Sequence, residues 1–368
     1  MSNKETSKAS AYRFCKIEAS ENIDALLEQI QIILNEGDSH NASVFQKEHW
    51  QWQYKNLPTH KALIYTAYNK QDKIVGYYHV PIYKGVIDKQ EKIFAMVQDV
   101  AVSASERGQG LFRQLAIYAN NDMLNHNINI AYTFPNKKSI HTFIKYNNYQ
   151  FVAAYHTYLL PINTDKLIKT KIKNPLLRFF IGALLKSYAQ CTKTKIIPIE
   201  KLTISTQVTE DISTYYNQFS SSAAIHLQRD FNYLDWRYNK KIIATHKIIS
   251  IKKDNEIIAS GIFKLDEIMG ADAIVLMDFA FKTELDMIQL LHSVRAYAKD
   301  IFNKDTAMIF TAFLDTRFLR KKKNGFIKIP KRFNPRPLNL LVRQLNYQSN
   351  DCLNADNWLA TLTDWDVF

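Results

Sequence analysis

Apolar positions along the chain fall into two series that run in the same order. In the first, an apolar run at 62–68 and another at 74–78 flank a polar stretch at 69–73. In the second, 246–252 and 257–263 flank the polar residues 254–256. Apolar, β-branched and aromatic runs around a short polar turn predict hairpins. Each series continues with a strand that carries one acid, 94–102 around Asp99 and 273–281 around Asp278. A helical period follows each strand: Leu111, Leu115, Ala119 and Met123 form one stripe, and Ile288, Leu291, Arg295 and Ala298 the other. Buried strands are expected at 128–134 and 307–313, then a short helix and a closing strand near 148–151 and 324–327. An aromatic box precedes each series, WQWQYK at 50–55 and YLDWRYN at 233–239. The repeat predicts one mixed α/β unit built twice: three strands, helix, strand, helix, strand.

Composition agrees with two domains of moderate size. The 368 residues are 46% apolar and 12% aromatic, enough for two cores, and 9 Gly with 9 Pro exclude a fibrous or low-complexity chain. The net charge of +13 suits a phosphate-bearing partner, whether nucleic acid, anionic lipid, a nucleotide-linked sugar or CoA, but a generally basic protein is the simpler reading. Abundant Lys, Asn and Ile trace part of that charge to codon usage. Cys15, Cys191 and Cys352 are too scattered for a disulfide framework or a zinc site. A reducing compartment suits them, and the polar N-terminus lacks the apolar core of a signal peptide, so a cytoplasmic location is expected. No transmembrane segment is expected: the most apolar stretch, 175–185, contains Arg178 and is followed by Lys186. The expected domains are 1–160 and 201–368, joined by 161–200. Within that joint a basic, partly apolar helix at 175–188 reads as a bridge packed on both halves, with a membrane-surface helix as the alternative.

The sharpest motif is Arg107-Gly108-Gln109-Gly110-Leu111-Phe112, directly after the acid-bearing strand and at the start of a helix. The glycines let backbone approach an anion, and the first helical N–H groups with the helix dipole attract it. A pyrophosphate fits that construction. The motif resembles the (Gln/Arg)-x-x-Gly-x-(Gly/Ala) loop with which the GNAT superfamily of acyltransferases holds acetyl-CoA. Arg107 and Gly110 match the first two fixed positions; Phe112 departs from the third. A narrower subgroup is similar in Gly76-Tyr77-Tyr78-His79, Asp99, the loop, Phe134-Pro135-Asn136-Lys137-Lys138-Ser139, and the stretch from Trp358 to Asp366. That resemblance spans nearly the whole chain and implies acylation in surface-polysaccharide or amino-sugar pathways. It also implies two tandem GNAT-like units, each a twisted mixed, mostly antiparallel sheet flanked by helices. The second half has Lys282-Thr283-Glu284-Leu285-Asp286 where the loop would be. Two acids there would repel CoA phosphates, so the expected cosubstrate, acetyl-CoA or another acyl-CoA, belongs to the first half.

Amide formation from a thioester needs a neutral amine, donors for the oxyanion and a proton for the leaving thiolate. The resemblance assigns the donors to backbone near Val100, Ala101 and Val102. Asp99 is the candidate base: strand alternation puts it on the face of Val97 and Ala101, where burial would raise its pKa. The same acid at Asp278, in the half without a loop, leaves open a purely structural role for both. The family's usual Tyr acid falls on Phe143, which has no proton; Tyr146 and His141 lie nearby. His79 could serve in the acceptor cleft, although strand aromatics such as Tyr77 and Tyr78 are commonly core. Asn136 either bonds the pantetheine amide or caps the next helix, and Ser139 completes the expected cofactor set. Asp364 and Asp366 around Trp365 could hold a cation or an amine, but no metal is expected.

The expected activity is therefore N-acylation, most simply acetylation, of an amino group on a sugar or similar small acceptor, nucleotide-linked or lipid-linked. O-acylation is open to the same site. Fem-type aminoacyl-tRNA-dependent transferases also have two such halves, and a basic chain suits tRNA. They need no CoA loop, so no nucleic-acid partner is expected. A non-catalytic CoA-binding protein is the third reading, kept open by Phe143. The sequence leaves the oligomeric state open.

Overall fold

The computed structural model describes residues 11–18, 24–36, 47–59, 61–169, 174–191, 194–241, 246–314, 318, 325–330, 334 and 338–365. They form two compact units. One comprises Met1–Lys84, Lys92–Phe151 and Leu341–Leu353; the other comprises Gly85–Glu91, Val152–Leu340 and Asn354–Phe368. Pairing rather than sequence order sets this division. Residues 156–161 pair with strand 308–313 of the second unit, and 341–344 pair with strand 130–133 of the first.

In the first unit β1 (Arg13–Glu18) is followed by α1 (Asp24–Asn35) and the one-turn α2 (Lys47–Trp50). The expected hairpin is present as β2 (Ala62–Tyr68) and β3 (Ile74–Ile87). Its turn is closed by the Asn69 side chain, which accepts from the N–H of Gln71 and Lys73 at 3.0 Å each. The acid-bearing segment is two strands, not one: β4 (Gln90–Met96) and β5 (Gln98–Val102). Then come α3 (Leu111–Asn125), β6 (Ile130–Thr133), α4 (Ile140–Asn147) and β7 (Gln150–Ala154). Leu111, Leu115, Ala119 and Met123 of α3 are all buried, on the same core as Tyr78, Val80 and Val97. The 3.6-residue stripe thus covers one face of the sheet.

In the second unit β8 (His156–Pro161) leads into α5 (Thr164–Lys169) and α6 (Pro175–Cys191). After these come β9 (Leu202–Ser205), α7 (Glu210–Ser220), β10 (Ile225–Leu227) and the one-turn α8 (Phe231–Leu234). The second hairpin is β11 (His246–Lys253) and β12 (Glu256–Ile268), and the acid lies on β13 (Ala271–Phe281). Helix α9 (Glu284–Ala296) and β14 (Met308–Phe313) complete the repeat. The sheet order is strand Ile327–Lys328, then β8, β14, β13, β12, β11, β9, antiparallel except where β13 meets β14. The buried stripe of α9 is Met287, Leu290, Leu291 and Val294. Arg295 is only half-buried, and Ala298 lies beyond the end of α9, so the expected stripe is shifted by a turn's edge. Mixed, mostly antiparallel sheets flanked by helices are the architecture that the repeat predicted.

Candidate active site

The break between β4 and β5 is a β-bulge centred on Asp99. Tyr77 lies opposite Ala101 and His79 opposite Gln98, so one residue of β3 faces two of β5. Asp99 absorbs the extra step with a left-handed backbone, φ +47°, which Asp tolerates better than most residues. In consequence Gln98 and Asp99, neighbours in sequence, face the same side. Gln98 donates from Nε2 to the Tyr54 hydroxyl at 2.8 Å, and that hydroxyl donates to Oδ2 of Asp99. Val97, Val100 and Val102 all pack on the α3 core. This corrects the simple alternation that put Asp99 on the face of Val97: the bulge turns it away from the apolar core and leaves it half-buried.

Tyr54 arrives from a π-helical turn, Gln51–Lys55, that continues α2 and closes with Asn56 N–H on the Gln51 carbonyl at 2.9 Å. The wider turn buries Trp52, Gln53 and Tyr54 together. The Tyr54 ring stacks on His79. Trp50 donates from Nε1 to the Tyr77 hydroxyl at 3.2 Å, and that hydroxyl meets Nδ1 of His79. The Tyr77 oxygen can accept from Trp50 and from the ring together, so either neutral tautomer of His79 fits this contact. Nε2 is buried and has no hydrogen-bond partner among the described residues. Burial holds the His79 pKa well below the usual imidazole value, so the ring is neutral at neutral pH. Burial, then the Asp99 carboxylate, push the Tyr54 and Tyr77 hydroxyls well above the usual phenol range. The cluster thus contains one carboxylate beside neutral hydrogen-bonding groups.

The glycine loop stands a few residues further on. β5 ends where Ser103 N–H bonds the Val75 carbonyl at 2.9 Å, and a single 3₁₀ turn, Ala104–Glu106, leads into it. Gly108 and Gly110 have φ of +82° and +77°, and a Cβ on either would meet no atom within 4 Å. These glycines are needed for backbone conformation, and the space in front of them is open. Gly110 is the N-cap of α3 and no side chain caps the helix. Among the described residues nothing accepts from the N–H groups of 108–113. The loop is braced from behind. The Glu36 carboxylate accepts from Ala104 N–H at 2.6 Å and from the Ser103 hydroxyl at 3.2 Å. Tyr12 donates to Glu106 at 2.6 Å, and burial with that carboxylate pushes its pKa up to about 12. Arg107 lies on the carbonyls of Val102 and Glu36, at 3.3 and 3.4 Å.

The remaining sequence candidates are placed differently. Asn136 caps: its Oδ1 accepts from the N–H groups of Lys138 and Ser139 at 2.9 and 3.0 Å and from the Ser139 hydroxyl at 3.2 Å. Phe143 is buried against Phe112 and Tyr149. Tyr146 is exposed on α4, with the Arg113 guanidinium 5.5 Å above its ring and His141 at 6.4 Å. No described contact brings Tyr146 to Asp99 or His79. Tyr54, Gln98, Trp50, Glu36 and Tyr12 are missing from the sequence-based set. The aromatic box at 50–55 was the available signal for Trp50 and Tyr54; nothing local marks Glu36.

The second unit repeats the frame with the opening filled. In the first unit β4 pairs in parallel with β6 at Phe94, Ala95 and Met96 only; in the second β13 pairs with β14 at Ala273, Ile274 and Val275 only. Each pairing therefore stops three residues before the acid. β5 has β3 as its one strand partner among the described residues, so its other edge is open. Beyond Val275, by contrast, the C-terminal segment enters. Leu314 bridges Ala360, Thr363 donates to the Met277 carbonyl at 3.3 Å, and Thr361 donates to Oδ1 of Asp278 at 3.1 Å. Arg229 spans the two buried acids, Nε to Asp278 at 3.2 Å and Nη2 to Asp364 at 2.7 Å. Burial pushes Asp278 upward against the pull of Arg229. Asp364 is thus committed to an internal pair rather than to a cation; Asp366 lies outside the described residues. At the start of α9, Thr283 and Asp286 form a capping box that closes the helix end left bare in α3.

Residues 32–151 match the family model for the acetyltransferase (GNAT) domain, a stretch that lies mostly in the first unit. No curated protein matches the chain. Solved structures match over nearly its whole length. A GCN5-related N-acetyltransferase from Anabaena variabilis has 12% identity and a TM-score of 0.59, covering 90% of this chain and 73% of that one. A probable N-acyltransferase of unknown function from Enterococcus faecalis has 10% identity and a TM-score of 0.61, covering 93% and 74%. Saccharomyces cerevisiae N-myristoyltransferase with bound myristoyl-CoA has 13% identity and a TM-score of 0.57, covering 95% and 86%. At these identities the likeness is one of fold.

Proposed function

We propose that the chain is an acyl-CoA-dependent N-acyltransferase, with acetyl-CoA as donor and the amino group of a sugar or similar small molecule as acceptor. One observation carries the reading. The uncapped N-terminus of α3, behind two left-handed glycines with open space before them, directly follows a strand whose free edge holds Asp99. The N–H groups of 108–113 suit a pyrophosphate, and the helix dipole adds to the attraction. The open edge of β5 suits an extended amide-bearing arm, which would place a thioester near Val100–Val102, where backbone N–H groups can stabilise an oxyanion.

Asp99 is the base in this reading. It is half-buried and reachable, whereas His79 is fully buried and neutral. Asp99 takes the proton that the amine loses as the C–N bond forms and the C–S bond breaks. Tyr54 and Gln98 hold the carboxylate and its neighbour in place, and Phe143 leaves the thiolate to be protonated from solvent or from Tyr146. Arg107 acts by tying the loop to α1 through the Glu36 carbonyl. Calorimetry with acetyl-CoA, longer acyl-CoAs and tRNA tests the proposal. One acyl-CoA per chain and no tRNA binding are expected, followed by thiol release in the presence of amino-sugar acceptors. Absence of acyl-CoA binding overturns it.

A further inference from the structure

Helix α6 turns four large apolar side chains to solvent. Leu176, Phe179, Phe180 and Leu184 are 71, 72, 62 and 70% exposed. Their spacing puts all four on one stripe of the helix. Away from that stripe Gly182 is buried against α5, where a Cβ would lie 3.6 Å from Cδ1 of Ile168. The sequence reading left two uses for this helix, a bridge packed on both halves and a membrane-surface helix. A patch of this kind marks an interaction surface.

Charge identifies the partner. From residue 164 to 195 the chain has eight Lys or Arg and one acid, Asp165. Lys169 before the helix and Lys195 after it are exposed. No helix among the described residues is long and apolar enough to cross a membrane, and α6 carries Arg178 within its 17 residues. An apolar aromatic stripe, a basic surround and insufficient length together describe a helix that lies in a bilayer interface. We propose that α6 docks the chain on anionic membranes, with Leu176, Phe179, Phe180 and Leu184 among the acyl chains and the flanking lysines on the head groups. The proposal does not depend on the acyl-transfer reading. If both hold, the acceptor is met at a lipid surface.

The test is flotation of the full chain with phosphatidylcholine vesicles, with and without phosphatidylglycerol. Binding to the anionic vesicles should be about tenfold or more tighter than to the neutral ones and should weaken with salt. The double substitution Phe179→Ser, Phe180→Ser should lower it by about tenfold or more. Because these side chains face solvent, its melting temperature should match that of the parent. If it does not, Leu176→Ser with Leu184→Ser replaces it in the same assay. Failure of the parent to float with anionic vesicles overturns the proposal. So does flotation unchanged by both substitutions, or self-association through α6 that the substitutions abolish while vesicle binding is absent.

Discussion

Asp99 and Asp278 occupy the same point of two similar frames, and what surrounds them decides what each can do. Both lie three residues past the end of a short parallel pairing, and both sit beside a π-helical turn that carries Trp and Tyr, Gln51–Lys55 and Asp235–Asn239. Around Asp278 every approach is taken: Arg229, Thr361 and its own Phe279 N–H bond it, and the C-terminal segment fills the edge. Around Asp99 the bulge directs the carboxylate to Tyr54, and the β5 edge stays open. An acid with a paired cation in a sealed core contributes to architecture; a half-buried acid beside an open edge can exchange a proton with a ligand. The helix ends follow the same division. Thr283 and Asp286 close α9, whereas Gly110 leaves α3 bare.

The largest expected effect separates the two acids. Asp99→Asn keeps an acceptor for Tyr54 while removing the charge. Turnover should fall about 10²–10⁴-fold with acyl-CoA affinity and melting temperature nearly unchanged. Asp278→Asn should lower stability first. Near-normal turnover in the Asp99 variant would return both acids to a scaffold role. Next in size is Arg229→Ala, which strands two buried carboxylates. A loss of about 3–5 kcal/mol in urea unfolding is expected. A small loss would mean that Asp278 and Asp364 are protonated or hydrated, and that the second frame is less sealed than its hydrogen bonds indicate. Smaller again is Gly110→Asp, which puts a carboxylate in front of the bare α3 amides. Acyl-CoA affinity should fall about 10–100-fold, from repulsion and the lost dipole interaction. Calorimetry should find one site in the parent, and two equivalent sites would refute the contrast between α3 and α9.

Much of this frame was legible in the residues. Alternation and turn residues marked both hairpins, and the 3.6-residue stripe of α3 was read at the correct positions because one face of that helix is buried and the other wet. The loop was legible because a left-handed backbone leaves glycine as its trace. Asp99 was found, but its orientation was not. A bulge adds one residue without any compositional mark, and alternation carried past it assigns the wrong face. Asn136 was ambiguous because an Asn that caps and an Asn that binds an amide look alike until the N–H groups of Lys138 and Ser139 are seen on it. Glu36 and Arg229 were invisible for a different reason. Each acts on backbone or carboxylates tens of residues away, and no local pattern encodes such a partner. The stripe of α6 left a bridge and a membrane-surface helix both open because apolar residues at helical spacing do not say what they meet.

The smallest expected effect concerns pH, and it bears on the same contrast through His79. Beside its own bulge β12 carries Ile262 and Phe263, so no histidine takes the place of His79 there; the second frame's buried histidine, His246, lies on β11, where burial also lowers its pKa. Burial depresses the His79 pKa in the folded chain, while an unfolded histidine titrates near about 6.5. Below that value the unfolded chain binds a proton that the folded chain refuses, so stability falls as pH falls. The contribution is fully present above about pH 6.5 and is lost progressively toward the folded pKa. Replacement by glutamine removes the titration but keeps a polar group for the Tyr77 hydroxyl. The difference in unfolding free energy between pH 8 and pH 5 should therefore shrink in His79→Gln. An unchanged difference would mean that the imidazole is charged in the folded state, with its Nε2 proton and positive charge satisfied within the cluster. Asp99 would then have a cationic neighbour just as Asp278 has Arg229, and the two frames would be alike at the point that separates them.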